Sequence, residues 1–538
     1  MYRNYLSLLL VLFISSLGCI AQPSNLQKPK SAVKRLALKC NDRSFWWTGI
    51  IDNGYLMPLK QGYKAETENN NYNNQIQPLL LSNNGEVIWC DQPLAVKYTS
   101  DSLIVESRSG DIRYTKVGEN LKQAYQFATK TYFPPSGKSP DKLLFSNPQY
   151  NTWIELMYDQ NQKDILKYAK AIISNGMPSG VLMIDDNWQE DYGKFNFHPG
   201  RFPAPKLMID SLHAKGFKVM LWVCPFISPD CDVFRYLSKN NLLLKDSTGN
   251  SAIIRWWNGA SGLLDFTNPD AVKWYKAQLN KLIDEYHVDG FKFDAGDFNF
   301  YKDVVSFKKA TPSEHAELYA KIGLDYPLNE YRAMWKMGGQ PITNRLCDKN
   351  HNWEDLQKLV PNLILEGLMG YTFCCPDMIG GGEFKSFLNT TTIDQDLIVR
   401  SAQCHALMPM MQFSVAPWRI LDQAHFDAVL NAIKLREQFA PYILKTMKES
   451  ALSGEPILRS MEYEFPHQGY EPLTDQFLIG DSLLVAPILN KNQKIREVVL
   501  PKGKWKAENE NIEIGPKTIK LNADLNALPY FSKSNKYI

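Results

Sequence analysis

From about Pro148 to Lys445 the chain alternates short apolar runs with amphipathic ones, and this rhythm limits the fold more than any single residue does. "TWIELMY" reads as a buried strand. "QKDILKYAKAIISNGMPSG" then puts Ile165, Leu166, Ala169, Ile172 and Ile173 on one helical face and ends at Asn175-Gly176. "GVLMID" is the next strand, "KLMIDSLHAKG" a helix, and "FKVMLWVCPF" a strand again. "NPDAVKWYKAQLNKLIDEYH" is a capped helix that runs straight into "VDGFKFD". Strands separated by helices at this spacing pair in parallel. The alternating region, roughly 290 residues long, matches a (β/α)8 barrel with insertions.

The flanks have a different period. From Gln22 to Ser146 the pattern is strands and turns: "DSLIVESRSGDIRYTKVG" alternates around Ser-Gly-Asp as a hairpin would, and "ETENNNYNNQIQP" is a polar loop. After Lys445 two apolar strands flank Gly-Asp in "DQFLIGDSLLVAPIL", and "IREVVLPKGKW" is a strand ending in a Pro-Lys-Gly turn. The expected organisation is an α/β chain: a segment 1–21 to be removed, an N-terminal β-sandwich over 22–146, the TIM barrel over 147–445 and a C-terminal β-sandwich over 446–538. A chain of 538 residues exceeds what one core supports, as this division requires.

The removable segment is "MYRNYLSLLLVLFISSLGCIAQPS". Arg3 precedes an apolar run from Leu8 to Ile14 that is too short for a membrane span and fits a secretory signal. Two processing routes compete: cleavage before Gln22, or a lipoprotein-like "SLGC" in which Cys19 carries a lipid anchor. Either exports the protein, to the periplasm or to a membrane surface. Export permits disulfides, and Cys40 with Cys90 is a conceivable pair. No C-x-x-C pair occurs, which argues against a cysteine-based zinc site. With 60 basic and 57 acidic residues the net charge is +3, so nothing in the charge balance points to nucleic acid.

The chemistry concentrates in two stretches. "DGFKFDAGD" ends a strand on Asp294 beside Lys292, a neighbour that would hold the carboxylate ionised as a nucleophile; a structural ion pair at the barrel rim is the plain alternative. "RLCDKNHNWEDLQKLVPNLILEGLMGYTFCCPDMIGG" opens on Asp348, whose Trp and His surroundings suit a carboxylic acid held protonated; a turn-forming aspartate is the alternative there. In "IDDNWQ", Asp185 ends a strand, Asp186 either binds a ligand or caps the loop, and Trp188 either stacks on a ligand or fills the core. Trp46 and Trp47 in "RSFWWTGII" carry the same ambiguity, with sandwich packing the default.

The order of these pieces resembles glycoside hydrolase family 31, the retaining α-glycosidases. It comprises a strand-end Lys-x-Asp, the segment from Asp348 through Trp353 and Leu356, the "FCCPDMIGG" turn, and "DQFLIGDSLLVAPIL" opening the last domain. The resemblance implies that Asp294 is the nucleophile and Asp348 the general acid/base of a double displacement. That mechanism needs no metal or organic cofactor, and an oligosaccharide or glycoconjugate is the implied substrate. It further implies substrate-binding roles for Asp185, Trp222 and Lys292, an upstream arginine supplied by Arg332 or Arg345, and a pocket-floor role for Asp377. Two departures bear on the sugar. Where family α-glucosidases read Trp-Ile-Asp-Met-Asn-Glu this chain reads "KFDAGD", and the position of their glucose-binding histidine aligns with Ser414. The paired Asp185 and Asp186 are similar to the galactose-binding carboxylates of α-galactosidases. The expectation is therefore an α-galactosidase-like branch, with α-glucosidase or α-xylosidase as alternatives and a non-catalytic carbohydrate-binding protein as the rival from another class.

Overall fold

The computed structural model describes residues 33–388 and 392–534. The expected signal segment and Cys19 lie outside the described residues.

Eight parallel strands form the central sheet: β1 (Gln149–Asn151), β2 (Val181–Ile184), β3 (Lys218–Val223), β4 (Gly290–Phe293), β5 (Asn329–Tyr331), β6 (Asn344–Arg345), β7 (Cys374–Cys375) and β8 (Gln412–Phe413). Their spatial order is β7-β6-β5-β4-β3-β2-β1-β8, and a parallel bridge from Met378 to Gln412 brings the two edges together into a nearly closed barrel. Every residue of β2 and β4 is buried, as expected for strands covered on both faces. Helices α1 (Gln162–Ser174), α2 (Pro205–His213), α3 (Pro269–Tyr286), α4 (Pro312–Ala320), α5 (Trp353–Leu368) and α6 (Gln395–Ala406) form the outer layer. Their starts follow from the sequence. Asn161 caps α1 through the Asp164 N–H, and Asn268 caps α3 with Pro269 in its first turn. Thr311 and Glu314 form a capping box on α4.

Local readings fail where tertiary pairing overrides periodicity. "TWIELMY" is no strand: β1 stops at Asn151, whose side chain accepts the Trp153 N–H at 2.8 Å, and Trp153–Leu156 is a helical turn. The expected hairpin in "DSLIVESRSGDIRYTKVG" does not form either. Ser102–Ser107 pairs with Lys34–Lys39 and Ala95–Tyr98, whereas Arg113–Lys116 pairs with Glu86–Trp89 in a different sheet. Ser107 Oγ accepts the Gly110 N–H and donates to the Pro93 carbonyl, so the chain crosses between sheets at this turn. The N-terminal region therefore holds a four-stranded sheet and four strands of a five-stranded one, followed by helices Leu121–Tyr132 and Leu143–Ser146 that the β pattern concealed. Trp46 and Trp47 pack inside it. Cys40 and Cys90 are free thiols, not a disulfide.

A 31-residue helix, Gln423–Ser453, leads into the C-terminal region. Its strands form one six-stranded antiparallel sheet. Ile495–Ala507 does not end at Pro-Lys-Gly; it continues past a register shift between Leu500 and Gly503. Among the described residues no helix is long and apolar enough to cross a membrane.

The N-terminal region is built into the barrel. Met334–Trp335, just after β5, pairs in parallel with Gln75–Ile76 of the strand Gln75–Ser82. The Gln75 side chain donates to the Arg345 carbonyl at 2.8 Å. One face of the N-terminal domain thereby meets the C-terminal ends of the barrel strands, where such folds place their chemistry.

Candidate active site

A cavity of about 570 Å³ opens at that end of the barrel. Asp185 and Asp186 follow β2, Trp222 lies in β3, Asp294 follows β4, Arg332 follows β5 and Asp348 lies three residues past β6; all six line it. Asp294 is held by the most donors. Its Oδ1 accepts the Ala295 N–H at 2.8 Å and Arg332 Nε at 3.1 Å, with Arg345 Nη2 at 3.9 Å. Its Oδ2 accepts only the Trp222 indole N–H, at 3.0 Å. Burial pushes the Asp294 carboxyl up, but Arg332, Arg345 and Lys292, with the Trp222 hydrogen bond, outweigh it and leave the group well below the usual carboxylate range. The strand ends in consecutive left-handed residues, Ala295 (φ 60°) and Gly296 (φ 81°). A Cβ on Gly296 would lie 2.8 Å from the Tyr319 ring, so the glycine meets both a backbone and a space requirement.

Asp348 faces this group across Arg345. Its side chain is 38% exposed, and its Oδ1 accepts Arg345 Nη1 at 2.7 Å. The same nitrogen reaches Asp377 Oδ1 at 3.0 Å, and Arg345 Nε reaches Glu330 at 3.2 Å. Arg345 thus joins four carboxylates. Burial and then the Asp348 charge push Asp377 up to about 7, against the pull of Arg345.

Lys292 is not the close partner of Asp294. Its ammonium sits 2.6 Å from Asp185 Oδ2, with both side chains 4% exposed, a buried pair between alternate strands β2 and β4. The sequence places Lys292 two residues from Asp294, but inward side chains of alternate barrel strands share a layer, and Asp185 lies across it. Asp186 spends one oxygen on Tyr192 at 2.9 Å and the other on Asn258 at 2.5 Å. Burial, followed by repulsion from Asp185, pushes it up to about 7.

Two domains of one family match this chain. The TIM-barrel domain of glycosyl hydrolases family 31 matches residues 145–345, and the C-terminal domain of the same family matches residues 454–538, together more than half of the chain. The chain belongs to glycoside hydrolase family 31. The mouse protein named myogenesis-regulating glycosidase is 32% identical over 407 residues, covering 73% of this chain and 56% of that protein. Alpha-glucosidase 2 of Bacillus thermoamyloliquefaciens is 24% identical over 501 residues, covering 82% of this chain and 62% of that one. The chain therefore spans less than two thirds of either relative's length. Among solved structures, the family 31 dextranase of Flavobacterium johnsoniae complexed with glucose superposes with a TM-score of 0.83 at 21% identity, over 94% of this chain and 67% of that one; this likeness concerns the fold.

Within this family 31 barrel, some positions expected from sequence are not at the cavity. Trp188 is fully buried: its indole donates to the Trp222 carbonyl at 2.7 Å and its ring packs on Phe197, so it supports Trp222 from behind and does not stack on a sugar. Arg345 and Asp377 are buried beneath the cavity and act on its carboxylates rather than lining it. The aromatic and imidazole surroundings expected for Asp348 point elsewhere. Trp353 donates to Asp394, and His351 bonds the Gly380 carbonyl, because both belong to the start of α5. Ser414 is buried and accepts the Ile154 N–H at 2.7 Å.

Other groups emerge only in three dimensions. Asp297 takes both terminal nitrogens of Arg332, at 2.9 and 2.6 Å. The Asn-rich N-terminal loop completes the wall: Asn71 donates to Asp297 at 2.9 Å, and Arg332 donates to the Asn73 carbonyl at 2.9 Å. Trp153, Tyr158, Trp256 and Trp257 supply aromatic sides. Asp297 stands in the quoted "DGFKFDAGD", so its proximity to Asp294 was a usable signal; the loop contacts span more than 200 residues and leave none.

Proposed function

We propose that this chain is a retaining, exo-acting α-glycoside hydrolase that releases terminal α-galactose, with Asp294 as nucleophile and Asp348 as acid/base. The observation that carries the reading is the unequal treatment of the two carboxylates. Asp294 is buried, ionised and saturated on Oδ1, which leaves Oδ2 with a lone pair for attack; Asp348 is partly open to solvent on the other side of Arg345. In the first step Asp294 Oδ2 forms a bond to the anomeric carbon. The bond from that carbon to the glycosidic oxygen breaks, and the departing oxygen takes a proton from Asp348. In the second step Asp348 removes a proton from water, the water oxygen bonds the anomeric carbon, and the Asp294 ester breaks. Two inversions retain the α configuration.

The galactose assignment rests on the pocket walls. Glucose and galactose differ only at the fourth carbon, so discrimination falls to polar groups around one hydroxyl, and a site built to bind that hydroxyl leaves its own buried groups unpaired with the wrong epimer. The buried Asp185–Lys292 pair and Asp186 are the polar groups at this wall. Among the described residues no histidine lines the cavity, and Ser414 is spent on a backbone N–H. An α-glucosidase with the same catalytic pair is the second reading, favoured by the name of the Bacillus relative.

The test is hydrolysis of aryl α-galactoside, α-glucoside, α-xyloside and α-N-acetylgalactosaminide by the purified protein. The α-galactoside is expected to be cleaved best, and Asp294→Ala with azide should yield a β-glycosyl azide. A tenfold preference for the glucoside overturns the sugar assignment. Full activity in Asp294→Ala overturns the mechanism.

A further inference from the structure

Far from the cavity, the stretch "MEYEFPHQGYE" brings three metal-ligating side chains together. Glu462 lies in the helical turn Met461–Glu464 before the C-terminal sheet, with His467 and Glu471 in the loop that follows. One donor atom from each of the three lies within 4.8 Å of the other two. Carboxylates and imidazoles often cluster on surfaces without holding anything, so proximity alone decides little. The decisive feature is Glu462. It is 0% exposed, its Oε1 accepts only the His467 backbone N–H at 3.1 Å, and its Oε2 has no hydrogen-bond partner. A buried carboxylate oxygen without a partner is costly unless something else meets it.

His467 is arranged to complete such a site. Its Nε2 lies 2.7 Å from the Glu119 carbonyl oxygen, an acceptor that fixes the proton on Nε2 and leaves the Nδ1 lone pair free. A ligating histidine ordinarily donates its other N–H to a carbonyl or carboxylate in this way. Glu119 stands just before Asn120, which caps the N-terminal domain's helix Leu121–Tyr132, so the contact joins regions 348 residues apart in sequence.

We propose that Glu462, His467 and Glu471 bind one first-row divalent cation, Zn²⁺ most tightly, and that the ion fastens the C-terminal sheet to the N-terminal domain. The donor set selects the ion. Two carboxylates and an imidazole suit Zn²⁺, whereas Ca²⁺ takes six to eight oxygens and has no use for imidazole. At bond lengths of about 2.1 Å a tetrahedral ion holds its donors about 3.4 Å apart. The exposed His467 side chain and the long Glu471 side chain can close that distance while Glu462 stays fixed. The absence of a C-x-x-C pair, which argues against a cysteine site, does not bear on this one.

The experiment is calorimetric titration of the full chain, dialysed against EDTA and then freed of it, with ZnCl₂, MnCl₂ and CaCl₂, alongside thermal melts with and without each salt. Wild type should bind one Zn²⁺ per chain, more weakly Mn²⁺ and least Ca²⁺, with Tm rising on Zn²⁺ addition. Glu462→Gln and His467→Ala should each weaken Zn²⁺ binding by at least about 100-fold, the upper end of what losing even an outer-shell partner costs, and abolish the Tm response. Glu462→Gln keeps an acceptor for the His467 N–H at nearly the same size, so its metal-free form should melt close to wild type. No Zn²⁺ binding by wild type overturns the site. Binding retained in both variants, or Ca²⁺ matching Zn²⁺, overturns it equally.

Discussion

Lys292→Met separates two accounts of the most conspicuous lysine in the chain. If its function is to neutralise Asp185, the substitution leaves a buried carboxylate without its cation, and breaking a buried pair in this way costs about 3–5 kcal/mol. Unfolding entropy of about 2.1 cal/mol/K per residue over roughly 500 residues is ~1 kcal/mol/K, so Tm should fall by about 4 °C. The second variant, Asp185→Asn/Lys292→Met, removes the stranded charge. Replacing both members of a buried pair by uncharged groups is often close to neutral, so at least half of the lost Tm should return although substrate binding stays impaired. Asp294 keeps Arg332, Arg345 and Trp222 in either variant, so the acid limb of kcat/KM in Lys292→Met should stay close to that of wild type. Differential scanning calorimetry and pH-rate profiles of the two variants give both readouts. A double variant no more stable than Lys292→Met would refute the pairing. An acid limb moved to higher pH by a full unit or more, without thermal rescue, would return Lys292 to Asp294.

Asp348→Ala should slow glycosides with poor leaving groups far more than aryl glycosides with good ones, because the latter depart with little protonation; equal losses for both would make the residue structural. Asp186→Asn tests the electrostatics of the β2 end. The folded-state value of about 7 lies above the ordinary aspartate value of about 3.9, so the folded protein holds this proton more tightly than the unfolded chain does. Its contribution to stability is fully present below about pH 4 and is lost as pH rises through about 7, a difference of roughly 4 kcal/mol. The asparagine variant should therefore lose less Tm than wild type between pH 4 and 8, and parallel curves would contradict the assignment.

The barrel was legible because its signal is local. A buried strand such as Val181–Ile184 and a helix such as Pro269–Tyr286 carry their period and caps within twenty residues. The two-residue strands Asn344–Arg345, Cys374–Cys375 and Gln412–Phe413 are too short to show a period, and they became visible only through pairing. The site divides in the same way. Asp185, Trp222, Asp294 and Asp348 could be read from strand-end position and motif order. The partner of Lys292 could not, because adjacency in sequence favoured Asp294 while the geometry of alternate strands favoured Asp185. Trp188 was ambiguous for another reason: burial, not residue type, separates a core indole from a sugar platform, and only its bond to the Trp222 carbonyl decides.

The charge inventory of the barrel mouth explains how so many carboxylates can share one site while Asp294 stays ionised. Seven carboxyl groups, those of Asp185, Asp186, Asp294, Asp297, Glu330, Asp348 and Asp377, surround three cations, Lys292, Arg332 and Arg345. Lys292, Arg332 and Arg345 cannot keep all of these acids ionised, so the outcome depends on where these cations point. Lys292 is spent on Asp185, whereas both arginines approach Asp294 Oδ1. Burial pushes Asp186, Glu330 and Asp377 up, and Asp294 is driven down. Arg332 is itself oriented by the bidentate grip of Asp297, which Asn71 of the N-terminal loop holds in turn. The control of Asp294 therefore extends outward to the N-terminal domain: a change at Asn71 reaches Asp294 through two intervening side chains.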